Sequence, residues 1–152
     1  MLDKSLSEIN LKIKLNFYRN IFSRFEEREA SLTAVETFCV EVIHALNEPT
    51  ISQFCDFVMI SQANAAYKIQ SLIKKGYVKK VRSEGDKREF RLSVTDKFDR
   101  YYLISQRYLI EVSKRINQRF SKEKLEELEL MLAIINDELM PEIDLKKYSE
   151  KK

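Results

Sequence analysis

Apolar side chains at Leu6, Ile9, Ile13, Phe17, Ile21 and Phe25 recur every three or four positions, the stripe of one helix face. The spacing predicts a long first helix from about Leu6 to Arg28 with a polar exit through Glu26, Glu27, Arg28 and Glu29. Thr33 followed three residues later by Glu36 has the form of a capping box and starts a second helix that runs to about Leu46. Val35, Phe38, Cys39, Val42, Ile43 and Leu46 give this helix a broad apolar face, as expected of a central element. Asn47-Glu48-Pro49 stops it, because proline disfavours the helical conformation in the residue before it and has no N–H to continue the ladder. A short helix over about Ile51 to Val58 puts Ile51, Phe54, Cys55 and Val58 on one face, and Val58-Met59-Ile60 is a short apolar connection. Ser61 then caps another helix, with Ala65, Ile69, Leu72 and Ile73 turned inward and Gly76 as a left-handed stop.

Beyond Gly76 the period changes from helix to strand. Tyr77-Val78-Lys79-Lys80-Val81-Arg82 is β-branched, aromatic and basic, Ser83 to Lys87 is turn-like, and Phe90, Leu92 and Val94 alternate with Glu89, Arg91 and Ser93. These are two strands of a hairpin with one face on a core. Thr95-Asp96 opens a long helix to about Phe120, with a wandering stripe through Phe98, Tyr101, Tyr102, Ser105, Leu109, Val112, Ile116 and Phe120. Ser121 starts a last helix in which Leu125, Leu128, Leu132, Ile135 and Leu139 alternate spacings of three and four, the seam of a coiled-coil-like contact. Pro141 ends it, and the lysine-rich remainder reads as a frayed tail.

Helix, short helix, apolar turn, capped helix, basic hairpin, helix is the order of a winged helix-turn-helix. The fold class is therefore mainly α with a small β-hairpin wing, flanked by long helices. Composition agrees: two glycines and two prolines in 152 residues leave too little punctuation for a turn-dense β fold. The net charge of +3 is mild, but nine basic and three acidic residues fall between Ser61 and Arg91, where phosphate binding would place them. A solvated lysine-rich face would look similar. With Ala65, Ile69 and Leu72 inward, the capped helix presents Gln62, Ala63, Asn64, Tyr67, Lys68 and Ser71 outward, and its start, from Ser61, can enter a major groove. The amides of Gln62 and Asn64 suit bidentate pairing with adenine, and Ala63 and Ala66 permit close approach or contact with a thymine methyl. Capping of the helix is the plainer role for Gln62 and Asn64. In the hairpin, Arg82, Lys87 and above all Arg88 can reach phosphates or a narrow minor groove. Asp86 is better placed to hold an arginine or the loop backbone than to face DNA.

Asp86-Lys87-Arg88 followed by Val94-Thr95, and preceded by Leu72-Ile73-Lys74-Lys75-Gly76-Tyr77-Val78, resembles the wing signature and helix end of the multiple-antibiotic-resistance regulator (MarR) family of bacterial transcription factors. The motifs cover roughly Leu32 to Phe98, and the helix order matches over the whole chain. The chain departs from the family pattern at Met59 and Phe98, where glycine is common. The resemblance implies residues 1–30 as an N-terminal dimerisation helix, 31–99 as the DNA-binding domain and 100–152 as C-terminal dimerisation helices. It also implies a homodimer on a palindromic duplex and response to a small phenolic or lipophilic effector or to cysteine oxidation; repression by occlusion of a promoter is the expected mechanism, with activation as the alternative.

Other readings are weaker. The single histidine, His44, reads as a core residue, and no nucleophile–base pair or glycine-rich phosphate loop marks an enzyme or a cofactor site. No ligand-spaced cluster marks a metal site. Cys39 and Cys55 lack C-x-x-C spacing and a thiolate-stabilising neighbour, which suits buried thiols in a reducing compartment. The apolar stretches fall short of the ~20 residues of a membrane span, and the N-terminus has no secretory pattern, so a cytoplasmic protein is expected. Phe17, Phe38, Tyr101, Tyr102 and Tyr108 could line an effector cavity, but at helical spacing they read as core. The serious competitor is a winged-helix protein-interaction module, which an exposed Tyr67 would suit.

Overall fold

The computed structural model describes residues 1–24, 32–83 and 88–149. The elements are α1 (Leu2–Arg24), α2 (Ala34–Ala45), α3 (Ile51–Val58), α4 (Gln62–Lys74), β1 (Val78–Arg82), β2 (Phe90–Val94), α5 (Asp96–Arg119), α6 (Lys122–Glu138) and a single turn α7 (Lys146–Ser149). The chain divides into two compact units, residues 1–30 with 102–143, and residues 31–101 with 144–152.

The second unit is the winged helix. The predicted capping box forms: the Thr33 backbone N–H donates to Glu36 Oε2 at 2.7 Å and the Glu36 N–H to Thr33 Oγ1 at 3.2 Å. A second box, not read from the sequence, starts α3, where Thr50 and Gln53 exchange bonds of 2.9 and 3.1 Å. Between them Asn47 and Glu48 both take positive φ, 52° and 61°, and buried Pro49 delivers the chain to the sheet. There the Pro49 carbonyl accepts from the Leu92 N–H at 2.8 Å, and Thr50 pairs with Arg91 as an isolated bridge. Arg91 also donates to the Glu48 carbonyl and Ser93 to the Glu48 carboxylate, at 3.0 and 3.1 Å. The α2–α3 loop thus forms a third edge against the hairpin. β1 and β2 pair antiparallel, Val78 opposite Val94 and Arg82 opposite Phe90.

Val40, Ile43, Leu46, Phe54, Ala65, Ile69, Leu72, Val78, Leu92 and Phe98 form the core, all at most 2 % exposed. α2 and α3 both pack against α4 and β2, and α4 also meets β1. Burying so many aliphatic side chains, each worth ~1.5–3 kcal/mol, is what holds the short helices in place. α4 ends as expected at Gly76, φ +78°, in a Schellman turn: Gly76 N–H to Ile73 O and Tyr77 N–H to Leu72 O, both 3.0 Å. Thr95 locks this turn by donating its hydroxyl to the Gly76 carbonyl at 2.6 Å, and the Lys97 ammonium caps the Lys75 carbonyl at 3.0 Å while lying 4.6 Å from the Tyr77 ring centre. Phe98 is fully buried beside His44, ring centres 5.2 Å apart, so here a large side chain fills the start of α5. His44, expected in the core, is half-buried at its edge.

In the first unit, α1 begins at Leu2, earlier than its periodicity suggested, and Phe25 with the polar exit lies outside the described residues. No described side chain of α1 or α6 is buried. Leu6 and Ile9 of the α1 stripe and Leu132 and Leu139 of the α6 seam are more than half exposed. α6 ends at Glu138, ahead of Pro141.

Three expectations are corrected. Val35 and Phe38 lie on the outer face of α2 at 47 and 57 % exposure, because α2 spans about three turns and its core face is already filled by Cys39, Val40 and Ile43. Ser71 does not face solvent freely; its hydroxyl donates to Glu36. The tail is not frayed throughout: Asp144 caps α7, and the Tyr148 ring meets Phe57 edge-on.

Candidate nucleic-acid interface

The N-terminal half of α4 is the exposed part of the helix-turn-helix. Ser61 Oγ accepts the Asn64 backbone N–H at 3.3 Å, so the cap is the serine hydroxyl and not an amide side chain. Ser61, Gln62, Ala63, Asn64, Ala66 and Tyr67 are exposed, Tyr67 at 80 %, while Ala65 and Ile69 anchor the opposite face. Lys68 stands at the edge of this patch, half-buried, with its positive charge acting on the Cys39 thiol. A helix held by one apolar face, with amides, small side chains and a phenol on its open first turns, can lie in a major groove and address base edges.

The turn ahead of α4 is made by Met59, left-handed at φ 54°, ψ 44°, with a 91 % exposed side chain. The helix-turn-helix therefore reaches the backbone geometry that glycine usually provides, at the steric cost of a Cβ.

The hairpin supplies cations. Arg82, exposed at the end of β1, lies with its guanidinium carbon 5.7 Å from the Phe90 ring centre, directly across the ladder. Arg88 is exposed just before β2, and Ser83 N–H bonds the Glu89 carbonyl at 3.0 Å to close the strand ends. Lys79 and Lys80 are exposed along β1. Lys87 and Asp86 lie outside the described residues. Of the hairpin face expected to pack, only Leu92 is fully buried; Phe90 is 41 % exposed because it lies beyond the core and serves as the platform for Arg82.

One group behind α4 was not legible from the sequence. Glu36, the capping residue of α2, is buried, and its carboxylate also accepts the Ser71 hydroxyl at 2.5 Å and the Lys75 ammonium at 2.9 and 2.7 Å. Burial alone would raise this carboxyl, but the bonds from Lys75, Ser71 and the Thr33 N–H outweigh it and hold it at about 2. Ser71 and Lys75 are four apart, hence on one face of α4, and their partner is separated by more than thirty residues; periodicity signals the face but not the carboxylate. This charged clasp fixes the C-terminal half of α4 while the N-terminal half stays open.

Burial pushes both cysteine thiols up, away from the thiolate. They are free and buried, as expected. Among the described residues no three His, Cys, Asp or Glu side chains are grouped to hold a metal, and no helix is long and apolar enough to cross a membrane.

These elements define a winged helix-turn-helix. Residues 32–97 match the family model described as a winged helix DNA-binding domain, which spans the segment from the α2 cap to the start of α5. The fold of the whole chain is shared with solved structures of low sequence identity. The chain is similar over 91 % of its length, and 94 % of the other chain, to FabT of Streptococcus pneumoniae in complex with DNA, at 22 % identity and TM-score 0.61. The transcriptional regulator Tm0710 of Thermotoga maritima shares 16 % identity over 89 % of this chain and 94 % of its own, with TM-score 0.65. A MarR family protein from Bacillus stearothermophilus shares 16 % over 91 and 92 %, with TM-score 0.64. No curated protein sequence matches the chain.

Proposed function

We propose that the protein is a cytoplasmic, non-enzymatic transcriptional regulator that binds double-stranded DNA sequence-specifically as a homodimer on a palindromic operator. The observation that carries this reading is the open first turns of α4, with Gln62, Ala63, Asn64 and Tyr67 exposed in the same unit as the Arg82 and Arg88 hairpin. Gln62 and Asn64 read base edges in the major groove, aided by Ala63 and Tyr67; Ser61 and Lys68 flank them; Arg82, Lys87 and Arg88 take the backbone or minor groove, and Asp86 supports the wing.

Pairing of two copies is supported by the helices outside the winged helix. Leu6, Ile9, Leu11 and Leu15 on α1, Leu130, Met131 and Leu132 on α6 and Leu139 at its C-cap are all more than half exposed, more apolar surface than a monomer keeps in water. Residues 1–30 and 100–152 are the dimerisation segments in this reading, and 31–99 the DNA-binding domain. Binding over a promoter then represses by occlusion, and an effector or stress signal that changes the separation of the two reading heads releases it. Phe17, Tyr102 and Tyr108, all half-buried in the unit that holds α1 and α6, are the candidate effector contacts.

Selection of bound duplexes from a random pool tests the reading. A two-fold symmetric motif with half-site centres about 10 base pairs apart is the expected result. Recovery of no enriched duplex, with the protein retaining its fold, overturns it in favour of a protein-interaction module that uses Tyr67.

A further inference from the structure

In a helix-turn-helix on DNA the second helix lies in the groove and the first crosses the phosphate backbone. Here the first helix is α3, Ile51-Ser52-Gln53-Phe54-Cys55-Asp56-Phe57-Val58, which has no lysine or arginine and one exposed aspartate. Its own side chains offer nothing cationic to the phosphates it would cross. The C-terminal segment offers what α3 lacks. After α6 the chain belongs to the winged-helix unit from Asp144 onward and not to the unit that contains α6. Asp144 Oδ1 accepts the backbone N–H groups of Lys146 and Lys147 at 3.0 and 3.4 Å, which rounds the segment into the turn of α7. Tyr148 N–H bonds the Leu145 carbonyl at 3.1 Å, and its half-buried ring meets Phe57 of α3 at 6.0 Å between centres and 81° between planes. The Lys147 ammonium lies 6.0 Å from the Tyr148 ring centre, and both Lys146 and Lys147 are exposed.

We infer that this segment is a phosphate-binding element of the DNA interface: the Tyr148–Phe57 contact docks it on α3, where Lys146 and Lys147 engage the backbone that α3 crosses. The inference rests on the DNA-binding reading above, adds to it a contact outside the helix-turn-helix and wing, and moves residues 144–149 from the dimerisation segment to the DNA interface. The aromatic pair matters physically because a lysine on a loose tail must be ordered at each encounter, whereas one beside a docked ring is already in place. An edge-on ring pair contributes ~0.5–1.5 kcal/mol, enough to favour the docked segment without making it immobile.

The test is the salt dependence of binding to a random-sequence duplex, where each neutralised phosphate contributes about 0.9 to the slope of log K against log salt. Replacing both lysines, K146Q with K147Q, should lower the slope by one to two relative to wild type. Y148A should move it in the same direction with every charge retained, and Y148F, which keeps the ring, should restore it. The charge-matched pair K122Q with K124Q, on α6, should leave the slope at the wild-type value. An unchanged slope in K146Q/K147Q overturns the inference, as does a fall of equal size in K122Q/K124Q, which would make it an effect of net charge. An unchanged slope in Y148A overturns the docking. Wild-type protein that binds no duplex at low salt overturns the DNA-binding reading itself, a result distinguishable from all of these.

Discussion

Two residues in the winged-helix unit put local energy in tension with position. Met59 holds a left-handed conformation with its side chain in solvent, so it bears the Cβ penalty of ~1–2 kcal/mol with no burial to offset it. Met59→Gly should raise stability by roughly 0.5–1 kcal/mol, the relief being trimmed by the extra freedom of glycine in the unfolded chain, and a denaturant midpoint that falls would contradict this. Glu36 shows the opposite balance. Its carboxyl, normally at 4.5, is held at about 2, because the bonds from Lys75, Ser71 and Thr33 favour the charged form more than burial disfavours it. A carboxyl depressed on folding stabilises fully above its unfolded value, and that share, on the order of 3 kcal/mol, is lost as the pH falls from about 4.5 toward 2. Glu36→Gln should destabilise the protein at pH 7 and flatten that acid limb; equal acid sensitivity in wild type and variant would show that Glu36 is not its source.

At the scale of elements, α4 is a helix of two halves. Its C-terminal half is fixed by Glu36, by the Gly76 turn and by the Lys97 cap, and its N-terminal half is anchored by Ala65, Ile69 and the Ser61 hydroxyl. The wing is tied along β2, where Glu48 receives Arg91 and Ser93, and its loop end carries Arg82 and Arg88. The two elements should therefore fail differently. Asn64→Ala should relax preference at one or two base pairs by ~1–3 kcal/mol of discrimination, whereas Arg88→Glu should weaken all duplexes and lower the salt slope. Competition binding with single-base operator variants separates these outcomes, and a uniform loss from Asn64→Ala would remove it from the base readers.

For the whole molecule, the contrast between units is the informative feature. The winged helix buries a continuous core, while α1 and α6 bury no described side chain. Apolar helices in that state call for a partner, and a second copy presents the same faces in return. Sedimentation at micromolar concentration should give twice the 18.1 kDa chain mass, and Leu132→Glu, which puts a charge in the α6 seam, should shift the protein toward monomer and weaken operator binding together. A wild-type monomer would contradict the pairing.

The periodic stripes, the Thr33–Glu36 box, the Ser61 cap, the Gly76 stop and the alternation around Leu92 were legible from residue order alone, because each is decided by neighbours within one turn or one strand step. The outward residues of α4 followed from the same arithmetic once its buried face was known. What residue order could not decide is which distant groups meet. Glu36 joins Lys75 and Ser71, Glu48 receives Arg91 and Ser93, and Tyr148 reaches Phe57 only because the packed core brings together segments far apart in the chain. Phe38 illustrates the converse: its spacing fits a buried stripe, yet a helix has only as much core face as its neighbours cover, and those neighbours are chosen by the tertiary fold.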